Sequence, residues 1–395
     1  MTDFAILGGA PAFAEPVHVG RPNIGDRDRL MERIAGVIDG RWLTNDGPLV
    51  HELEQEVADV VGVPHCIAMC NGTVALEIAI RAAGLTGEVI VPPFTFVATA
   101  HALQWQEITP VFCDVDPRTH NIDPARVEEL ITPRTTGILG VHVWGRPAPV
   151  DELARIAGEH SLRLLFDAAH ALGCSTGGRM VGGFGTAEVL SFHATKVVNS
   201  FEGGAIVTAD EGFAEVARLM RNHGFADYDE VGHVGTNGKM SEIAAAMGLT
   251  SLESREQFVA ANRRNYEAYH AALEGVDGVE LIDYDDRESC NWQYVVVEVA
   301  ESAGLTRDEL QAVLWAENVL ARRYFFPGCH RMEPYRTLFP DAAERLPETE
   351  RLVQRVLALP TGTSMTTDAV TTVAGLVERA MRDAPRLRAA LRAAV

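Results

Sequence analysis

Between about residue 87 and residue 210 the chain alternates short apolar, β-branched runs with segments of helical periodicity. This alternation restricts the fold more than any other feature. The expected strands are residues 88–91, 110–115, 136–143, 163–166, 188–192 and 205–208, and stretches such as 124–131 and 150–159 carry apolar residues at helical spacing. Strands separated by helices return in the same direction, so the rhythm predicts an α/β architecture with a mostly parallel central sheet. Such sheets bind ligands beyond the carboxyl ends of their strands. A long helical pattern runs over 241–271, strands are expected at 279–282 and 294–299, and helices within 307–317 and 366–395. These describe a smaller α+β unit. The expected division is a large domain over 1–250, including the N-terminal segment, and a small C-terminal domain over 251–395.

Composition narrows the function classes. A formal charge of −21 opposes nucleic acid as a partner, because phosphate neutralisation needs clustered cations. No apolar run is long enough for a membrane span, and Met1-Thr2-Asp3-Phe4 does not begin a secretory signal. Six scattered cysteines suit reduced thiols in a cytoplasm, and Cys66 and Cys70 lack the second pair that a zinc site needs, so no metal is expected. Of the 34 basic residues only Lys196 and Lys239 are lysines. In a chain biased toward arginine, lysine persists where a primary amine must lose its proton, which guanidinium cannot do.

Four segments carry chemistry. Lys196 follows the expected strand that ends near Phe192, in Ser191-Phe192-His193-Ala194-Thr195-Lys196, and Glu202-Gly203-Gly204 comes soon after. A lysine placed there can form a Schiff base with a carbonyl cofactor; the plain alternative is a solvated loop lysine. Asp167 ends the apolar run Leu164-Leu165-Phe166, so its carboxylate needs a cationic partner. A pyridine nitrogen is such a partner, and a cap for the next helix is the other reading. His170 follows three residues later. Asn71-Gly72-Thr73 precedes an apolar helix, and a helix start with Gly and Thr suits a phosphate, to which Ser191 could add a hydroxyl. Pro92-Pro93-Phe94-Thr95-Phe96 puts aromatics at a strand mouth, where a ring could stack on a flat ligand or pack in the core.

Taken together and in this order, these segments resemble the DegT/DnrJ/EryC1/StrS family of sugar aminotransferases dependent on pyridoxal 5'-phosphate (PLP). The resemblance extends to Trp42–Pro48 and to Gly235-Thr236-Asn237-Gly238-Lys239-Met240-Ser241-Glu242. It implies the type I (aspartate aminotransferase) fold. It implies that Lys196 forms the Schiff base, that Asp167 pairs with the pyridine nitrogen, and that His170 lies near the ring oxygen. Gly72, Thr73 and Ser191 would hold the phosphate, and Phe96 would stack on the ring. Asn237 would reach the phosphate of the partner subunit, which implies a homodimer with shared sites. Cys70-Asn71 departs from the Ser-Ser or Gly-Ser of many members. Family dehydratases carry histidine at the Schiff-base position, so Lys196 favours transamination.

The stretch Leu320–Pro327, with His330 and Tyr335, resembles the members that aminate C4 of TDP-4-keto-6-deoxyglucose. The implied reaction takes nitrogen from L-glutamate, carries it as pyridoxamine 5'-phosphate, and yields TDP-4-amino-4,6-dideoxy-D-glucose, a deoxyaminosugar of the kind used in antibiotic biosynthesis. Lys239, Arg322, Tyr324 and His330 are the candidate substrate residues. Arg322 and Arg323 could meet the diphosphate or form a plain surface pair. The alternatives are a C3-ketosugar or cyclitol aminotransferase, a dehydratase, and a non-catalytic sensor or scaffold of the same fold.

Overall fold

A computed structural model describes residues 3–393. Met1 and Thr2 of the N-terminal reading, and Ala394 and Val395 of the last helical stretch, lie outside the described residues. A seven-stranded sheet holds the larger part together. Its strands are β1 (His65–Met69), β2 (Glu88–Val91), β3 (Thr109–Phe112), β4 (Thr135–Val141), β5 (Arg163–Asp167), β6 (Ala187–Ser191) and β7 (Gly204–Thr208), in the order β1-β7-β6-β5-β4-β2-β3. All neighbours are parallel except β7, which runs against both β1 and β6. The parallel alternation expected over 87–210 is present. Strand β1 was not expected, because its short apolar run carries no period that separates it from the helix that follows.

Both faces of the sheet are covered, which is why its strands are mostly apolar rather than alternating. On one face Ile90, Ile138, Phe166 and Leu190 meet Leu53 and Val57 of α2 (Pro48–Val61), which follows α1 (Arg27–Gly40), and Leu153 and Ile156 of the helix Val150–Glu159. On the other, Val91, Leu139, Leu165 and Val189 meet Leu76 and Ala79 of α3 (Gly72–Ala82) and Leu103 of α4 (Val97–Gln104). Helix α2 shows how sequence sets an element's ends. Pro48 occupies its first turn, where no N–H is needed, and Gly62 closes it at φ 71°. Buried Glu242 accepts from the free N–H groups of Leu49 and Val50 (2.9 and 3.0 Å). The long helix expected over 241–271 is two, Glu242–Glu253 and Arg255–Leu273, broken at Ser254.

The smaller part is an antiparallel sheet of Val279–Leu281, Val295–Val299 and Val356–Leu359, packed with helices Arg307–Ala316 and Thr367–Arg382. One grouping differs from the sequence reading. Phe4, Leu7, Phe13 and Val17 pack into this C-terminal core, not with the large sheet, and Val17–His18 pairs with Val319–Leu320. Glu317 fixes the segment by accepting from Ala5 N–H and Ala12 N–H, both at 2.7 Å. Conversely, Cys329, Tyr335 and Leu346 pack beside α3 and α4 on the large sheet. Among the described residues no helix is long and apolar enough to cross a membrane.

Candidate active site

The carboxyl ends of the parallel strands converge on a cavity of about 380 Å³. Cross-strand register explains who meets there. Asp167 is level with Val141 on one side and Val189 on the other. Ser191 pairs with Gly204, and Gly204 pairs with Met69, so the end of β6 is brought beside the start of α3. The approach is close enough to demand glycine. A Cβ on Gly204 would lie 2.6 Å from Gly72 N, and one on Gly72 would lie 3.2 Å from Ser191 Cβ. Asn71 caps α3, its Oδ1 accepting from Val74 N–H at 2.8 Å. The N–H groups of the first turn therefore open toward the Ser191 hydroxyl, an arrangement that suits a phosphate.

Asp167 is buried, and its carboxylate is held from two sides. Ala169 N–H donates to Oδ1 at 3.0 Å, and the Thr99 hydroxyl donates to Oδ2 at 2.8 Å. Thr99 in turn receives the Thr95 hydroxyl proton at 2.8 Å. Lys196 sits on the turn after β6, its N–H bonded to His193 O at 2.8 Å. Burial lowers its pKa to about 8, with the Asp167 charge acting in the opposite direction. Among the described residues no carboxylate lies within ion-pair distance of its amine. His170 is buried, and burial together with Lys196 pushes its pKa well below the ordinary value, so the ring is neutral.

The cavity brings together nine of the residues expected from the sequence: Gly72, Thr73, Phe96, Asp167, His170, Ser191, Lys196, Arg322 and Tyr324. The two phenylalanines at the strand mouth part company. Phe94 is wholly buried among Trp144 and Phe325, whereas Phe96 is 59% exposed on the cavity wall, where a ring can stack on a ligand. Five expected residues do not join the others. Asn237 lies on an exposed segment, bridged to Asn222. Lys239 pairs through its backbone with Met69, behind the start of α3. His330 is buried away from the cavity, its Nε2 bonded to Glu350 at 2.5 Å; its ring has no route to a sugar there. Arg323 is likewise turned away, onto Asp308 at 3.0 Å, and Tyr335 is bonded to His101 at 2.7 Å. Sequence reasoning passed over Thr99, His142 and Tyr294. Thr99 stands one helical turn beyond Phe96, the sole hint in the chain order.

A buried acid, an amine with a lowered pKa, an exposed aromatic and a helix start beside a hydroxyl are the fittings PLP requires, and the residues fit that cofactor. Together with the sheet topology they define a PLP-dependent enzyme of the type I fold. Residues 25–378 match the DegT/DnrJ/EryC1/StrS aminotransferase family, and the chain belongs to it. It is 35% identical over 354 residues to a dTDP-4-amino-4,6-dideoxy-D-glucose transaminase of Shigella dysenteriae, covering 90% of this chain and 96% of that protein. A protein of the same description from Escherichia coli is 33% identical over 362 residues, covering 91% and 98%. Among solved structures, DesI in the presence of its TDP-sugar product superposes with a TM-score of 0.93 at 50% identity, covering 99% of both chains.

Proposed function

We propose that this aminotransferase moves nitrogen from L-glutamate to C4 of TDP-4-keto-6-deoxy-D-glucose, giving TDP-4-amino-4,6-dideoxy-D-glucose. The observation that carries the reading is the convergence of Lys196, Asp167 and the Gly72–Thr73 helix start on one cavity whose wall also bears Arg322. The TDP-sugar relatives support the acceptor class and the C4 position.

When bound, PLP supplies an electron sink that stabilises negative charge on the carbon being deprotonated. The chain supplies the rest. Lys196 would hold the cofactor through its amine, and once the amine of glutamate has displaced it, the freed Lys196 amine takes the proton from the α-carbon of glutamate. In the return half of the cycle it delivers a proton to C4 of the sugar. Asp167, steadied by Thr99 and Ala169, keeps the pyridine nitrogen protonated. Gly72, Thr73 and Ser191 would bind the phosphate, and Phe96 would cover one face of the ring. Arg322, which has no ion-pair partner among the described residues, offers a guanidinium to an anionic group of the substrate.

The site is completed in a homodimer. Asn237 would reach the partner's phosphate from its exposed segment, where Val231 and Val234 also leave apolar surface uncovered (58% and 72% exposed). All six cysteines are unpaired, which supports action in a reducing cytoplasm. The test is incubation of the enzyme with L-glutamate and either TDP-4-keto- or TDP-3-keto-6-deoxyhexose, with NMR of the product. Nitrogen at C4 is expected. Nitrogen at C3 would overturn the position while leaving the aminotransferase standing, and turnover of neither sugar would overturn the acceptor class.

A further inference from the structure

A chain of hydrogen bonds leads from the small sheet into the cavity, and chemistry fixes its direction at each link. The Trp144 indole has only a donor, and it gives its proton to His120 Nδ1 at 3.1 Å. With Nδ1 accepting, neutral His120 carries its proton on Nε2, which donates to Glu298 Oε1 at 2.9 Å. The Trp144 backbone N–H points to His170 Nδ1 at 3.3 Å. That nitrogen accepts as well, so neutral His170 also carries its proton on Nε2 and donates it to the Tyr294 hydroxyl oxygen at 3.1 Å.

The backbone is arranged for this. Trp144 is fully buried at φ 64°, a left-handed conformation that a bulky residue adopts only under constraint from its surroundings. That conformation aims its N–H at His170 while its indole reaches His120. Both nitrogens of His170 are thereby engaged within the protein. The Tyr294 oxygen receives a proton from His170, and neighbouring Gln293, whose amide oxygen already accepts from Val197 N–H (3.2 Å), presents its NH₂. The tyrosine's own proton has no acceptor among the described residues, and Tyr294 lines the cavity.

We infer that Tyr294, rather than His170, presents the hydrogen-bond donor to the bound ligand, directing its O–H at an oxygen acceptor on the cofactor or on the sugar. Trp144 and His120 are positioning residues that hold His170 in the tautomer this requires. The inference rests on the reading of the cavity as the PLP and sugar site.

The experiment is Tyr294→Phe, which removes one oxygen and keeps the ring. PLP affinity and the visible absorption of the PLP-loaded protein are measured first without substrate. The glutamate half-reaction and the ketosugar KM follow. If the acceptor is the ring oxygen of PLP, the dissociation constant for PLP rises about tenfold and the band shifts before any substrate is added. If the acceptor is a sugar oxygen, both stay unchanged, the glutamate half-reaction is unaffected, and the ketosugar KM rises about tenfold. The inference is overturned if all these quantities stay within about twofold of wild type. Should Tyr294→Phe fail to fold, 3-fluorotyrosine placed at 294 keeps the hydroxyl and its contacts but makes it more acidic; an unmoved band together with an unchanged ketosugar KM then overturns the inference. Loss of covalent PLP binding in Lys196→Ala identifies the cavity independently. Persistence of that binding would sink the cavity reading instead of the Tyr294 role.

Discussion

Replacing Lys196 by methionine should stabilise the apo-protein at pH 7, and the advantage should fade in base. Burial lowers the ammonium from 10.5 to about 8, against the opposing pull of Asp167. The folded chain thus binds this proton more weakly than the unfolded chain does. Below pH 8 both states are protonated, and the folded state bears the full cost. Between pH 8 and 10.5 only the unfolded state keeps the proton, so wild-type stability climbs with pH. Above 10.5 both are neutral and the effect is complete. A gap of about 2.5 between the two pKa values corresponds to about 3 kcal/mol at pH 7, falling to about 2 at pH 9 and about 1 at pH 10. Methionine fills much of the same volume without a charge, so urea unfolding of both apo-proteins across this range reads the difference directly. A stability gap that does not change with pH, or a methionine variant no more stable at pH 7, would refute the argument. The same shift makes the neutral amine about 300-fold more abundant at pH 7 than in an ordinary lysine, which is what covalent capture of PLP needs.

Lys196→Arg should keep the fold by circular dichroism yet lose turnover, since guanidinium neither forms the covalent link nor gives up a proton; substantial activity would remove Lys196 from its role. Asp167→Asn should still take up PLP while turnover drops about a hundredfold or more, and wild-type rates would mean that another acid serves the pyridine nitrogen. Thr99→Val should lower kcat about tenfold with PLP uptake intact, because it deletes one buried donor to the Asp167 carboxylate; an unchanged kcat would show that Ala169 N–H suffices. Lys196→Ala and Asn237→Ala, each inactive alone, should regain activity when dissociated and mixed, because a hybrid dimer contains one intact site. A monomer with full activity by light scattering and assay would rule out the shared site.

Much of this protein could be read from the chain order. The period of the apolar runs announced a parallel sheet, and the residues just past the expected strands at 163–166 and 188–192 line the cavity as expected. Strand ends are local features: an apolar run stops, and the next polar residue stands where the fold leaves a crevice. Asp167 and Lys196 were therefore visible as candidates without any coordinates. So was the helix start at Gly72, from its Asn-Gly-Thr cap.

Other properties had no local signature. Thr99 supports Asp167 only because the fold brings the first turn of α4 beside the end of β5, which places residues 68 positions apart at 2.8 Å. His330 and Arg322 were singled out together as candidate substrate residues, but packing turned one toward Glu350 and the other into the cavity. The N-terminal segment joined the C-terminal core because Glu317 collects its N–H groups there. The tautomer of His170 depends on a backbone N–H from Trp144 and a hydroxyl from Tyr294, which reach it from the turn after β4 and from the approach to the strand Val295–Val299. Hydrophobic period and turn chemistry act between neighbours along the chain, so they are written in the sequence. Side-chain direction, hydrogen-bond polarity and burial of charge depend on distant segments meeting, and only the folded chain decides them.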